Sequence, residues 1–130
     1  MQAAARGRRW RAILCLMLGT AGGLPPAVES VWGHAFVSRS EPRTGATISE
    51  SPAHVRIWFD GPIEPMFATI SVENREQRRV DKGDGRVSPR DARLLEVGLP
   101  PLAPGRYRVS WSVIARDGHR REGDFSFLLK

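Results

Sequence analysis

Short apolar alternations, separated by turn-forming residues, constrain the fold of this chain more than any other sequence feature. In the segment RYRVSWSV, residues 106–113, apolar side chains occupy every second position and arginines or serines occupy the positions between. A period of two is the repeat of a β-strand that buries one face. The same pattern predicts these core residues: Val55, Ile57, Phe59, Ala68, Ile70, Val72, Leu95, Val97, Leu99, Tyr107, Val109, Trp111, Val113, Phe125, Phe127 and Leu129. The segment AFVS, residues 35–38, predicts one further strand.

Turn-rich segments follow the predicted strands at intervals of roughly ten residues, which is the spacing of antiparallel all-β domains. These segments are EPRTG, ESPAH, DGPIEP, KGDG, PPLAPG and RDGHRREG. They predict an all-β fold, an immunoglobulin-like antiparallel β-sandwich with Greek-key connections and about seven strands. A small barrel is the alternative architecture. The polar, glycine-containing segment KGDGRVSPRD, residues 82–91, is interpreted as a mobile loop.

The first 33 residues have the order of an export signal. Four arginines within residues 6–11 precede an apolar run at residues 12–24, and the segment PPAVESVWG follows. The apolar run is shorter than the about 20 residues that a helix needs to cross a bilayer. Val31 and Gly33 suit the small-residue positions of a signal peptidase site, which predicts cleavage before His34. A cut nearer Ala27 and a retained membrane anchor are the alternatives.

Cleavage before His34 gives a signal peptide over residues 1–33 and an exported domain over residues 34–130. It removes Cys15, the only cysteine, so that domain has no thiolate ligand to offer a metal. It also removes four arginines and Glu29, which lowers the formal charge from +6 to +3. The remaining arginines are scattered along the sequence, whereas nucleic-acid binding needs a concentrated basic stripe. We therefore expect no nucleic-acid partner.

The chain has three histidines, and their contexts differ. His54 opens the predicted strand VRIWF and is interpreted as a solvated surface residue. His119 lies in RDGHRRE, between two strongly alternating strands, and Asp117 is two positions before it. Gly118 has no side chain to prevent a backbone conformation in which the two side chains converge on one ion. The competing interpretation is a plain turn in which Asp117 accepts hydrogen bonds from backbone amides.

An N-terminal His34 favours a metal site. Its α-amine and imidazole Nδ1 can close a chelate ring, and His119 and Asp117 would add a nitrogen and an oxygen. Such a donor set suits a tetragonal Cu(II) centre, while zinc prefers tetrahedral sites. We predict one Cu(II) per mature chain, with an affinity that falls as the pH drops through about 6 to 5. Met66 is the only methionine after residue 33 and is interpreted as a packing residue, so no Cu(I) site is predicted.

Two long segments carry a resemblance to a known family. HAFVSRSEPRTGATISESPAHVRIWFDGPIEP and LAPGRYRVSWSVIARDGHRREGDFSF resemble the first and last strands of the CopC-type periplasmic copper-resistance proteins. The likeness extends over essentially all of residues 34–130. It implies a seven-stranded β-sandwich that binds one Cu(II) through His34, Asp117 and His119. It also implies a monomer that works beside a CopD-type inner-membrane protein, which we expect to be a separate chain.

The sequence departs from the family pattern at three places. It lacks the methionine-rich Cu(I) segment of some members, which argues against copper transfer between a Cu(I) and a Cu(II) site. Phe36 stands where many members have a second histidine, and Arg120 and Arg121 stand where a proline-containing pair is common. The arginines are expected either to weaken the site by like charge or to dock an anionic partner.

Three functions follow from these observations. The leading hypothesis is a non-enzymatic copper(II)-binding protein of copper resistance and homeostasis, which buffers Cu(II) or delivers it to a membrane partner. The enzymatic alternative is a copper-dependent monooxygenase with an N-terminal histidine brace, although Asp117 would occupy a position that oxygen chemistry needs. The third is a metal-free envelope interaction domain, which applies if cleavage leaves His34 inside the chain.

Overall fold

The computed structural model describes residues 36–130, which form two four-stranded sheets. The strands are β1 (Val37–Glu41), β2 (Thr47–Ile48), β3 (His54–Phe59), β4 (Thr69–Glu73), β5 (Arg86–Ser88), β6 (Asp91–Gly98), β7 (Gly105–Ile114) and β8 (Arg120–Leu129). One sheet has the order β1-β3-β6-β5 and the other has the order β2-β8-β7-β4. A one-turn 3₁₀ helix, Pro65–Phe67, precedes β4. The predicted all-β sandwich is confirmed.

One strand pair departs from the predicted antiparallel arrangement, because β2 runs parallel to β8. Gly45, with φ of +73°, donates its N–H to the carbonyl of Ser126 at 2.7 Å. This bond carries the chain onto the outer edge of β8, where Thr47 lies beside Leu128. The parallel pair is only two residues long, so no alternating pattern in the sequence could reveal it.

The alternation predicts the core well. All of the predicted core residues are buried except Ala68 and Trp111, which are partly buried and pack against the core. The indole of Trp111 meets the ring of Phe59 edge to face, with centroids 5.2 Å apart. These contacts join the two sheets, since Phe59 ends β3 in one sheet and Trp111 lies on β7 in the other.

The interpretation of residues 82–91 as one loop is wrong. Arg86–Ser88 forms β5, which pairs with β6 and buries Val87. The Asp84 carboxylate accepts the N–H of Gly98 at 2.8 Å and holds the start of this segment against β6. Polar composition suggested a loop because this strand has a single buried residue.

Several chain segments meet at one end of the sandwich. Val37 at the start of β1 pairs with Phe59 at the end of β3. A few residues later, Ile63 forms an antiparallel bridge with Ala115, which directly follows β7. The turn between β7 and β8 therefore lies at the same end as the start of β1. Within residues 36–130, no helix has the length and apolar character to cross a membrane.

Candidate metal centre

The turn between β7 and β8 closes a long hairpin and carries the sequence DGH. Two backbone hydrogen bonds define it: Ala115 N–H donates to the His119 carbonyl at 3.0 Å, and Gly118 N–H donates to the Ala115 carbonyl at 2.9 Å. Gly118 has φ of +86°, in the left-handed region where a side chain would be strained. The turn therefore depends on glycine at the position between Asp117 and His119.

Asp117 holds both the backbone and the side chain of His119. Its Oδ1 accepts the His119 N–H at 2.9 Å, and its Oδ2 lies 3.0 Å from His119 Nδ1. The side chain of Asp117 is 17% exposed and that of His119 is 68% exposed, so the imidazole projects outward from a sheltered carboxylate. When Nδ1–H of a neutral imidazole donates to a carboxylate, the lone pair lies on Nε2, which is the usual arrangement of a metal-binding histidine.

The turn interpretation of DGH describes this geometry, and the metal interpretation stays a prediction. Asp117 accepts a backbone amide, as the turn interpretation predicts, and its carboxylate also contacts the imidazole of His119. The bond from His119 N–H uses one lone pair of Oδ1, so it leaves Asp117 lone pairs with which to coordinate a metal.

Phe36, the first described residue, lies near this turn. The guanidinium carbon of Arg121 is 5.7 Å from the centre of the Phe36 ring, and Arg121 is two residues after His119. The predicted ligand His34 and the predicted signal peptide lie outside the described residues.

A contact that the sequence did not reveal holds the backbone of Phe36. The Phe36 N–H donates to Oδ1 of Asp60 at 2.7 Å, and the Asp60 N–H donates to the Phe36 carbonyl at 2.8 Å. Asp60 directly follows β3. In the sequence it appears only as part of the turn DGPIEP, and nothing there shows that its partner is 24 positions earlier.

The remaining candidate side chains lie elsewhere or point outward. His54 is exposed and pairs with Gly98, at the opposite end of β3 from Phe59, as expected of a surface residue. Met66 is 86% exposed, so its interpretation as a packing residue is wrong. It lies on the 3₁₀ helix, whose three residues bury no side chain. Among the described residues, no group of three or more His, Cys, Asp and Glu side chains is arranged to hold a metal.

The fold and the Asp117–His119 pair define a class of protein: a small β-sandwich that presents a histidine and a carboxylate on the turn of its last hairpin. The model of the CopC domain matches residues 37–130. The chain belongs to the CopC family.

Relatives of known sequence agree with this assignment. Protein YobA of Escherichia coli K12 is 28% identical over 102 residues, which cover 78% of this chain and 82% of YobA. The copper transport protein CutJ of Bacillus subtilis is 31% identical over 122 residues, which cover 93% of this chain. The matched region is only 21% of CutJ, so this chain corresponds to about a fifth of that protein.

Solved structures show the same fold. CopC from Methylosinus trichosporium OB3b superposes with a TM-score of 0.66 at 30% identity, covering 75% of this chain and 94% of that structure. The copper resistance protein PcoC from Escherichia coli gives a TM-score of 0.63 at 21% identity, covering 75% of this chain and 99% of PcoC. At the latter identity the likeness concerns the fold alone.

Proposed function

We propose that this chain is a periplasmic copper(II)-binding protein of copper resistance and homeostasis, and that it binds one Cu(II) without catalysing a reaction. The ligands are the α-amine and Nδ1 of His34, together with Asp117 and His119. Cleavage before His34 creates the free α-amine. The observation that carries the proposal is the Asp117–His119 pair, with its 3.0 Å contact on an exposed turn.

The chemistry of the donors supports copper over other divalent ions. Imidazole and amine nitrogens with one carboxylate oxygen suit the tetragonal geometry of Cu(II), and Cu(II) is at the top of the divalent affinity series. The contact between Asp117 and Nδ1 favours coordination by Nε2 of His119. In this arrangement Asp117 orients the histidine, and its carboxylate must leave Nδ1 to supply the oxygen ligand of the same ion.

The relatives support a role in copper handling. CutJ is a copper transport protein, and its matched region is joined to a much longer chain. We propose that the corresponding partner here is a separate membrane protein of the CopD type, to which this chain delivers Cu(II) or for which it buffers Cu(II). The exported chain is proposed to act as a monomer.

Replacing His119 by alanine tests the site directly. We expect His119→Ala to lower the Cu(II) affinity of the exported protein by at least about 100-fold, because it removes a nitrogen ligand. The affinity is measured by competition with a chromophoric chelator. His54→Ala is the matched control, since it removes an exposed histidine at the opposite end of the sandwich.

The control variant should bind like the wild type. An unchanged affinity in His119→Ala, or an equal loss in His54→Ala, would reject the assignment of this site.

A further inference from the structure

We infer that Asp60 is a positioning residue for the copper site: it fixes the backbone from which the N-terminal ligand extends, without contacting the metal. This inference rests on the proposed function, because it concerns His34 as a ligand. It assigns a role to a residue outside the donor set His34, Asp117 and His119.

The contact between Asp60 and Phe36 is reciprocal. Phe36 N–H donates to the Asp60 carboxylate at 2.7 Å, and Asp60 N–H donates to the Phe36 carbonyl at 2.8 Å. A charge-assisted bond from a backbone amide to a carboxylate is stronger than a neutral one. The pair therefore fixes both polar groups of the Phe36 backbone.

The start of β1 needs such a contact because its regular pairing is interrupted there. Val37 is opposite Phe59, but Arg39 is opposite Trp58, so two steps along β1 match one step along β3. An irregularity of this kind bends the strand and changes the direction of the chain before it. The Asp60 carboxylate holds the chain immediately before this irregularity.

The position of Phe36 limits where the N-terminal donors can be. His34 is two residues before Phe36, and two residues of extended chain span at most about 7 Å. Anchoring Phe36 therefore reduces the volume that the amine and the imidazole of residue 34 can sample. A smaller search volume lowers the entropy lost when these donors bind a metal.

The same segment is tied to the turn that carries the other donors. Three residues after Asp60, Ile63 forms its bridge with Ala115, and Ala115 N–H bonds the His119 carbonyl. Glu64 N–H also donates to the Ile114 carbonyl at 2.8 Å. Asp60 therefore begins a short, hydrogen-bonded connection between the N-terminal stretch and the DGH turn.

Three substitutions separate the hydrogen bond from the charge. Asp60→Ala removes the acceptor, and we expect it to weaken Cu(II) binding by about 10-fold, because the donors of residue 34 then lose more freedom on binding. Asp60→Glu keeps the charge but moves the acceptor by one methylene, and it should also weaken binding. Asp60→Asn keeps an Oδ1 acceptor without the charge, and it should bind within a few-fold of the wild type.

A matched control tests for general destabilisation. The Asp84 carboxylate also accepts one backbone N–H, that of Gly98 at 2.8 Å, but at the far end of β6. Asp84→Ala should lower the free energy of unfolding and leave Cu(II) affinity unchanged.

The electron paramagnetic resonance spectrum is the second measurement: one Cu(II) species is expected in the wild type, and a second species is expected in Asp60→Ala.

These comparisons require a wild-type protein that binds Cu(II) and whose mass shows that His34 is its first residue. Wild-type affinity in Asp60→Ala or in Asp60→Glu would overturn the positioning role. An equal loss of Cu(II) affinity in Asp60→Asn and Asp60→Ala would also overturn it, because the charge and not the hydrogen bond would then matter. An equal loss of Cu(II) affinity in Asp84→Ala would overturn it as well. A wild-type protein that does not bind Cu(II) would reject the proposed function itself.

Discussion

The side chain of Asp81 holds two backbone amides in place at the edge of β4. Its side chain is completely buried, and its two oxygens accept the N–H groups of Val72 and Gly83, each at 2.8 Å. The Nε of Arg79 also donates to it, at 2.9 and 3.0 Å. Both oxygens are therefore saturated with donors.

Asp81→Asn should lower the free energy of unfolding by about 1–3 kcal/mol. The amide places an NH₂ group against an N–H donor whichever way it is oriented, because donors face both oxygens of Asp81. Urea unfolding of the two proteins at neutral pH measures the difference. An equal unfolding midpoint would show that these bonds contribute nothing to stability.

The same residue predicts a pH dependence. Burial alone would raise the pKa of Asp81, but the bonds from Arg79, Val72 and Gly83 outweigh it and lower the pKa below its ordinary value of 3.8. A lowered pKa in the folded state stabilises the protein above the ordinary pKa, and this contribution is lost as the pH falls through the folded-state pKa. The stability difference between wild type and Asp81→Asn should therefore be constant near neutral pH and shrink below about pH 4.

The β7–β8 hairpin contributes to the core and carries the candidate site. Trp111 lies opposite Gly123, and a Cβ on Gly123 would be 2.8 Å from the indole Cζ2. The indole covers this glycine and extends to Phe59 on the other sheet. The glycine thus allows the aromatic contact that joins the sheets behind the site.

Gly123→Ala should destabilise the fold by about 1–3 kcal/mol, because the added methyl group displaces a large ring from its packing position. The tryptophan emission should change at the same time. Gly61→Ala is the control, since a Cβ at Gly61 meets no atom within 4 Å and its φ is not in the left-handed region. Equal stabilities in the two variants would contradict the packing role of Gly123.

Long alternating elements could be predicted from sequence, and short ones could not. The strands β3, β7 and β8 bury every second side chain over several positions, so their period is visible. The strands β2 and β5 have two and three residues, and pairing with a distant neighbour defines them. The contact between Asp117 and His119 could be predicted because a single glycine separates them in sequence, whereas Asp60 acts on a residue 24 positions away.

The sandwich brings its first strand and its last hairpin to one end. Phe36 is held by Asp60 after β3, and Ile63 of the same segment bridges to Ala115 beside the DGH turn. A metal that binds only the folded protein across these segments stabilises it, by about 2.7 kcal/mol at a hundredfold excess over the dissociation constant. Cu(II) should therefore raise the melting temperature of the wild type and leave that of His119→Ala nearly unchanged.

The most direct test of the proposed copper site is the intact mass of the protein isolated from the cell envelope, measured under native conditions with and without one equivalent of Cu(II). The proposal predicts a chain that begins at His34 and gains the mass of one copper atom. A chain that begins elsewhere, or one that begins at His34 and gains no copper, would contradict it.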